Sequence, residues 1–237
     1  MYRDIASKAF GPGYGLVESQ VLHCFVRSKR PAHVIEIGSG ASTATMLYAA
    51  SLNAREDQTR TAITCIEPFP KPGFANLDGI THIREVVQGV RGQVFEQLRS
   101  GDLLFVDSSH SVKVGSDVLR IYLDIIPRLQ SGVFIHIHDC YLPYLYPRDA
   151  LSSYFGWQET SLVLALLTHS SQLQVECCES ALHYGRPAEL QAVLHDYQPQ
   201  GNSEGLAAEP TVDHHFPSSL WLRTGGDRRE GHSQDGR

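Results

Sequence analysis

Residues 33–43 read His-Val-Ile-Glu-Ile-Gly-Ser-Gly-Ala-Ser-Thr, which predicts a short apolar strand, a glycine turn and the start of a helix. Gly38 and Gly40 let the backbone turn tightly and come close to a ligand. The N–H groups at the start of the next helix favour a polar or anionic ligand group. Because ligands of open α/β sheets bind at the carboxyl ends of strands, this stretch indicates a ligand site. A Gly-Ser-Gly turn can also simply connect a strand to a helix.

Around this stretch, apolar runs alternate with helical ones, which is typical of a parallel sheet with crossover helices. The predicted strands are 33–37, 62–66, 83–87, 102–106, 132–137, 173–176 and 219–223. The predicted helices are 16–29, 42–52, 92–99, 114–129, 159–168 and 188–195. Residues 225–237 are rich in glycine and charge and predict a disordered tail.

Composition narrows the class of protein. The 237 residues suffice for one α/β domain with a sizeable core. A net charge of −6 without a long Lys/Arg run argues against a nucleic-acid partner. No apolar run approaches the ~20 residues that span a bilayer, and no signal peptide is evident, so we expect no membrane partner. Five cysteines without a CxxC pair indicate reduced thiols and a cytoplasmic location.

An acid follows the second predicted strand. Glu67 stands where a carboxylate can accept hydrogen bonds from ribose hydroxyls, although it could also be a solvated strand-end group. The glycine spacing differs from the dinucleotide fingerprint G-x-G-x-x-G, because position 43 is threonine. The turn and the acid, in this order on neighbouring strands, are more specific together than either is alone.

These residues resemble a known family. Residues 34–43 are similar to motif I of class I S-adenosylmethionine-dependent methyltransferases, and Cys65-Ile66-Glu67-Pro68 is similar to their acidic motif II. A closer similarity to Methyltransf_24-type bacterial methyltransferases rests on Asp107-Ser108-Ser109-His110 and His136-Ile137-His138-Asp139. The segments 101–106, 115–117, 142–148 and 219–222 extend the resemblance, which covers about residues 10–224.

The resemblance implies a single Rossmann-like α/β methyltransferase domain, whose seven-stranded, mostly parallel sheet carries helices on both faces. It divides the chain into an N-terminal helical segment and acceptor-site lid at 1–30, an S-adenosylmethionine-binding domain at 31–224 and the tail. The implied cofactor contacts are Gly38, Ser39, Gly40 and Ser42 for the methionine part, Glu67 for the ribose, Gln88 for the adenine and Asp107 for the methyl sulfonium, with Glu36 as a further cofactor-binding residue.

A candidate reaction centre follows the fourth and fifth predicted strands. Methyl transfer requires an aligned acceptor and, for an alcohol, removal of a proton. Asp107, His110 and His138 are the catalytic candidates, and histidine suits proton transfer near neutral pH. In one interpretation His110 or His138 is a metal-free base. In the other, Asp107, His138 and Asp139 hold a divalent metal that lowers the pKa of the acceptor.

Aromatic residues in loops are the candidates for contacting the acceptor, although such residues can equally be loop-packing residues. The substrate candidates are Tyr14, Tyr141, Tyr144 and Trp157, with Phe10, Tyr146 and Glu159 as further ones. His136 shares a strand face with Phe134 and His138, and we interpret it as a core residue.

Three functions compete at this point. The first is methyl transfer from S-adenosylmethionine to a small-molecule acceptor, such as a hydroxyl of a sugar or a secondary metabolite. The second is a non-heme metal-dependent oxygenase using His110, His138 and Asp139. The third is a non-catalytic cofactor-binding module. The sequence also allows a homodimer and does not name the acceptor.

Overall fold

The structure is a computed structural model that describes residue 5 and residues 14–144, 158–194, 197 and 217–225. Within this part of the chain seven strands form one sheet. They are β1 His33–Ile37, β2 Ala62–Ile66, β3 Ile80–Ile83, β4 Leu103–Val106, β5 Phe134–Ile137, β6 Leu173–Cys178 and β7 Leu220–Thr224.

The strand order is β3-β2-β1-β4-β5-β7-β6. β7 runs antiparallel to β5 and to β6, whereas the pairs from β3 to β5 are parallel. This confirms the predicted mostly parallel α/β sheet. From β1 the chain adds β2 and β3 on one side of the sheet, and it then adds β4 and β5 on the other side of β1. The strand order therefore reverses between β1 and β4. Ligands of such sheets bind at this reversal, outside the carboxyl ends of the strands.

Helices cover both faces of the sheet. The α-helices are α1 Leu16–Lys29, α2 Ala41–Asp57, α3 Asp117–Arg120, α4 Gln158–His169, α5 Glu179–Gly185 and α6 Pro187–Val193. Alternate strand residues supply two apolar layers. Ile35, Leu104 and Ile135 belong to one layer, and Val34, Leu103 and Phe134 belong to the other. The described helices include none long and apolar enough to cross a membrane.

The third strand differs from the prediction of residues 83–87. β3 begins and ends earlier, because residues Ile80–Ile83 pair in register with Ile63–Ile66 of β2. Val87 is still buried, but it packs into the core from the turn that follows the strand. Its apolar character therefore reflects burial of a loop residue rather than a strand.

Two predicted helices also differ. Residues Gly92–Gln97 form a short 3₁₀ helix instead of a helix to residue 99. The helix predicted from residue 114 begins at Asp117, because the Ser116 hydroxyl caps it by accepting from the Leu119 N–H at 3.3 Å. It then becomes π-helical at Ile121–Ile125 and 3₁₀ at Ile126–Arg128. α5 was not predicted.

Candidate active site

The glycine turn after β1 lies against the end of β4. The Gly38 N–H donates to the Ile66 carbonyl at 3.0 Å, and Gly38 has a φ of +101°. A Cβ at Gly38 would lie 3.1 Å from both the Cβ and the carbonyl oxygen of Asp107. A Cβ at Gly40 would meet no described atom within 4 Å. One side of the turn is thus closely packed, and the other offers room for a ligand.

Glu36 stabilises the turn through buried hydrogen bonds. Its carboxylate is fully buried and accepts hydrogen bonds from the Ser42 hydroxyl at 2.5 Å, the Thr43 hydroxyl at 2.6 Å and the Cys65 thiol at 3.1 Å. The Thr43 hydroxyl oxygen in turn accepts from the Gly40 N–H at 2.9 Å. A direct contact of Glu36 or Ser42 with the cofactor stays a prediction, because their side chains are engaged in this network.

Glu36 should make stability depend on pH. Burial raises its pKa from 4.5 to about 7, against the lowering effect of the hydrogen bonds from Ser42, Thr43 and Cys65. Because the pKa of Glu36 is higher in the folded state than in the unfolded state, protonated Glu36 contributes to the free energy of unfolding. This contribution is complete below about pH 4.5 and is lost as the pH rises through 7. The free energy of unfolding should therefore decline as the pH rises from 4.5 to 8. We expect Glu36→Gln, which cannot ionise, to make this decline smaller by up to about 3 kcal/mol, measured by urea unfolding.

The exposed acid Glu85 offers the control, since Glu85→Gln removes a carboxylate that is not buried. Burial likewise raises the pKa of Glu179 to about 8, so some decline should remain in Glu36→Gln. An unchanged pH profile in Glu36→Gln would contradict the prediction.

Glu67 lies beside the turn, as the pairing of β1 with β2 requires. The Ser39 hydroxyl is 3.4 Å from Glu67 Oε2, and the Phe69 N–H donates to Glu67 Oε1 at 2.6 Å. Gln88 is exposed, and its amide donates to the Gly115 carbonyl at 3.1 Å, which joins the loops after β3 and β4. The predicted ribose and adenine contacts thus lie on loops at the carboxyl edge of the sheet.

The structure brings the four polar candidates after β4 and β5 together. His138 Nδ1 lies 3.4 Å from Asp107 Oδ1 and 3.7 Å from Asp139 Oδ2. His110 Nε2 lies 3.7 Å from Asp107 Oδ1 and 3.5 Å from Asp139 Oδ2. Two imidazoles and two carboxylates therefore alternate in one cluster, next to the glycine turn that Asp107 contacts.

Backbone strain is present in this cluster. His110 has a φ of +56° and Asp139 a φ of +51°, which few residues other than glycine adopt. Hydrogen bonds hold both residues: the His110 N–H donates to the Ser108 hydroxyl at 3.0 Å, and the Ser218 hydroxyl donates to Asp139 Oδ1 at 2.7 Å. Strain of this kind costs on the order of 1–3 kcal/mol per residue and is often found at functional sites.

The charges in the cluster support one another. Burial would lower the pKa of His110, but the hydrogen bond and charge of Glu159 and the charges of Asp139 and Asp107 raise it above its ordinary value. Burial would also lower the pKa of His138, but Asp139, Glu18 and Asp107 raise it well above its ordinary value. Burial would raise the pKa of Asp107, but His138, His110 and His136 lower it below its ordinary value. Both imidazoles therefore favour the cation, and Asp107 favours the anion.

Two buried carboxylates behind the histidines were not predicted as part of the centre. Glu18 is fully buried and Glu159 almost so. Glu18 at the third position of α1 is explained locally as a capping residue, and it does accept from the Gly15 N–H at 2.9 Å. Glu159 in the first turn of α4 is explained locally by the helix dipole. Because each carboxylate has a local explanation, the sequence shows no signal that it also lies behind a histidine of the cluster.

The aromatic candidates divide into three groups. Tyr14 lies with its ring centroid 5.2 Å from that of His138, and the Tyr141 hydroxyl is 3.5 Å from Asp139 Oδ1, so both border the cluster. Tyr144 instead makes an edge contact with Tyr184 of α5, at 5.1 Å. Phe10, Tyr146 and Trp157 lie outside the described residues.

His136 agrees with its interpretation as a core residue. It is fully buried, stacks on Phe105 at a centroid distance of 4.2 Å and meets the edge of Trp221 at 4.6 Å. Burial lowers its pKa to about 3, so the ring is neutral near pH 7.

A metal site stays a prediction. Among the described residues, no group of three or more His, Cys, Asp or Glu side chains is arranged to hold a metal ion. We derive no step through a metal at Asp107, His138 and Asp139.

The sheet order, the glycine turn after β1 and the acid after β2 together define a class I methyltransferase architecture. Residues 35–140 match the family model Methyltransf_24, described as a methyltransferase domain. This match confirms the resemblance to methyltransferases that the motifs carry.

Solved structures share the fold. A protein assigned as an O-methyltransferase from Klebsiella pneumoniae aligns with a TM-score of 0.53 at 13% identity, over 94% of this chain and 89% of that one. An O-methyltransferase from Bacillus cereus in complex with SAH aligns with a TM-score of 0.51 at 10% identity, over 94% and 90%. Identities this low show the fold alone. No curated protein matches the sequence significantly.

Proposed function

We propose that this methyltransferase uses S-adenosylmethionine to methylate a hydroxyl group of a small molecule, such as a sugar or a secondary metabolite. One observation carries the proposal: the glycine turn, Asp107 and the two histidines meet at the carboxyl edge of the sheet, with Gly38 against Asp107 and Asp107 3.4 Å from His138. The Bacillus cereus structure with SAH has the same fold and supports the choice of cofactor.

The chain's residues have distinct roles in this proposal. Gly38, Ser39 and Gly40 bind the methionine part, with Glu67 at the ribose and Gln88 near the adenine. The cofactor supplies an activated methyl group on a positively charged sulfur. Asp107, held as an anion, faces that charge. His110 or His138 accepts the proton of the acceptor hydroxyl in its neutral form, and because the pKa of each imidazole is raised, this form becomes more populated as the pH rises.

The residues that would bind the acceptor are proposed from their position beside the cluster. Tyr14 and Tyr141 border the histidine–carboxylate cluster and can bind an apolar or sugar-like acceptor and exclude water. Tyr144 and Trp157 stay substrate candidates from the sequence, as do residues 1–30 as the lid. A segment that covers the cluster would complete the pocket around the acceptor hydroxyl.

Calorimetry and a transfer assay test the proposal together. We expect S-adenosylmethionine to bind the full chain with a micromolar Kd, a usual range for a cofactor site. Labelled methyl groups should pass to members of a panel of sugars, glycosides and polyketides, and not to matched amines. Absence of binding would overturn the proposal, and binding without transfer to any acceptor would favour a non-catalytic module. Full activity after exhaustive dialysis against EDTA would exclude a required metal.

A further inference from the structure

Each histidine of the cluster has a buried carboxylate behind it, but the two contacts differ. Glu159 Oε2 lies 2.8 Å from His110 Nδ1, which is a short hydrogen bond. Glu18 Oε1 lies 3.5 Å from His138 Nε2, which is too long for a hydrogen bond of ordinary strength. The Glu159 contact is therefore the stronger of the two, and it can fix the orientation of the His110 imidazole.

Glu18 is engaged elsewhere. Besides the Gly15 N–H, it accepts from the Ser218 N–H at 3.0 Å and from the Ser219 hydroxyl at 3.0 Å. These bonds fasten the start of α1 to the residues before β7. We therefore interpret Glu18 as a structural link between two distant parts of the chain.

Glu159 bonds within the loop that carries His110. Its Oε2 atom also accepts from the Ser108 hydroxyl at 2.8 Å, and its N–H donates to the His110 carbonyl at 3.3 Å. The neighbouring Gln158 side chain accepts from the Val112 N–H at 3.3 Å. The first turn of α4 thus holds residues 108–112, including the strained backbone of His110, from one side.

This arrangement determines which ring nitrogen faces the reaction centre. A carboxylate only accepts hydrogen bonds, so His110 Nδ1 carries a hydrogen and donates it to Glu159. The other nitrogen, Nε2, then points at Asp107 and Asp139, 3.7 and 3.5 Å away, beside the glycine turn. Nε2 is the atom that gains or loses a proton in front of the turn.

We propose that Glu159 is the positioning residue of the site: it fixes the orientation and tautomer of His110, and His110, with Nε2 beside the glycine turn, is the imidazole that takes the acceptor's proton. The inference rests on the proposed methyl transfer. It adds a residue outside the motifs and selects one of two histidines that the sequence left equivalent.

Nuclear magnetic resonance tests the orientation without an acceptor. In the ¹⁵N-labelled full chain, with and without S-adenosylhomocysteine, His110 should show a slowly exchanging Nδ1–H signal, assigned by its loss in His110→Asn. Glu159→Ala should abolish the signal, whereas Glu159→Gln should keep it, because its amide oxygen can still accept. Glu18→Gln is the matched control and should leave it unchanged. A His110 signal that persists in Glu159→Ala would overturn the proposal.

A double-mutant cycle tests the consequence for the reaction, with S-adenosylmethionine and the panel acceptor that turns over best. We expect Glu159→Ala to lower kcat about 10- to 100-fold, as loss of a group that orients a functional histidine commonly does. KM and the Kd of S-adenosylmethionine should stay within about 3-fold. In a His110→Asn background, Glu159→Ala should have no further effect.

Two outcomes of the cycle would overturn the proposal. One is an equal loss of kcat from Glu159→Ala with and without His110, since Glu159 would then act elsewhere. The other is a fully active His110→Asn enzyme, which would transfer the role of base to another group while leaving methyl transfer established. Failure of the proposed function itself is distinguishable, because the chain would then not bind S-adenosylmethionine at all, and the magnetic resonance result would still decide the orientation of His110.

Discussion

Gly38→Val is expected to abolish detectable binding of S-adenosylmethionine. The residue has a φ of +101°, where a β-branched side chain is strongly disfavoured, at a cost on the order of 1–3 kcal/mol. Its Cβ would also lie 3.1 Å from the backbone oxygen of Asp107, which cannot move without displacing β4. The turn would therefore shift, and its N–H groups would leave the positions that the cofactor needs. Calorimetry with S-adenosylmethionine measures the loss.

Gly79→Val is the matched control for this variant. Gly79 has a comparable φ of +85°, but it precedes β3 at the opposite edge of the sheet, and a Cβ there would only make an ordinary contact of 3.8 Å with Leu47. We expect this variant to lose stability in thermal unfolding and to bind the cofactor normally. If Gly38→Val binds as tightly as the control, the turn is not the cofactor site.

Asp107→Asn is expected to weaken the binding of S-adenosylmethionine more than the binding of its product, S-adenosylhomocysteine. S-adenosylmethionine carries a positive sulfonium, whereas S-adenosylhomocysteine has a neutral sulfur, so only the first should depend on the charge of Asp107. Because the Asp107 side chain is 40% exposed, water screens this attraction, and we expect the Kd of S-adenosylmethionine to rise roughly 10-fold. The Kd of S-adenosylhomocysteine should change less than about 3-fold. Turnover should fall about 100-fold, because the variant also removes a fixed charge beside both histidines.

Asp124→Asn tests whether loss of any negative charge has the same effect. Asp124 lies in the π-helical segment and pairs with Arg120 and Arg128, away from the glycine turn. It should leave both dissociation constants unchanged. Equal weakening of both ligands in Asp107→Asn would show that Asp107 shapes the site without facing the sulfonium.

The sheet and its ligand edge were predictable from local patterns. Residues 33–37 are an apolar run followed by glycines, and both features act within a few residues of the chain. Since parallel strands end at the same edge, Glu67, Asp107 and His138 could be placed near one another without coordinates. The predicted seven-stranded, mostly parallel sheet is confirmed, which supports that reasoning.

Strand register and long-range hydrogen bonds were less predictable from the sequence. The third strand was predicted too late, because Val87 is as apolar as a strand residue and the pairing of Ile80 with Ile63 depends on a neighbouring strand. Glu159 was considered only as a pocket residue, since its partner His110 lies 49 positions earlier. A contact over that separation leaves no periodicity in the sequence.

The sequence by itself therefore determined the class of fold, the glycine turn and the chemistry available at the edge of the sheet, because strand patterns and turn chemistry are local properties. Only the tertiary structure decided how that chemistry is arranged: Glu36 beneath the turn, Asp107 against Gly38, and His110 held by Glu159. These contacts join residues distant in the chain, and burial, which sets the charge state of each group, exists only once the chain has folded.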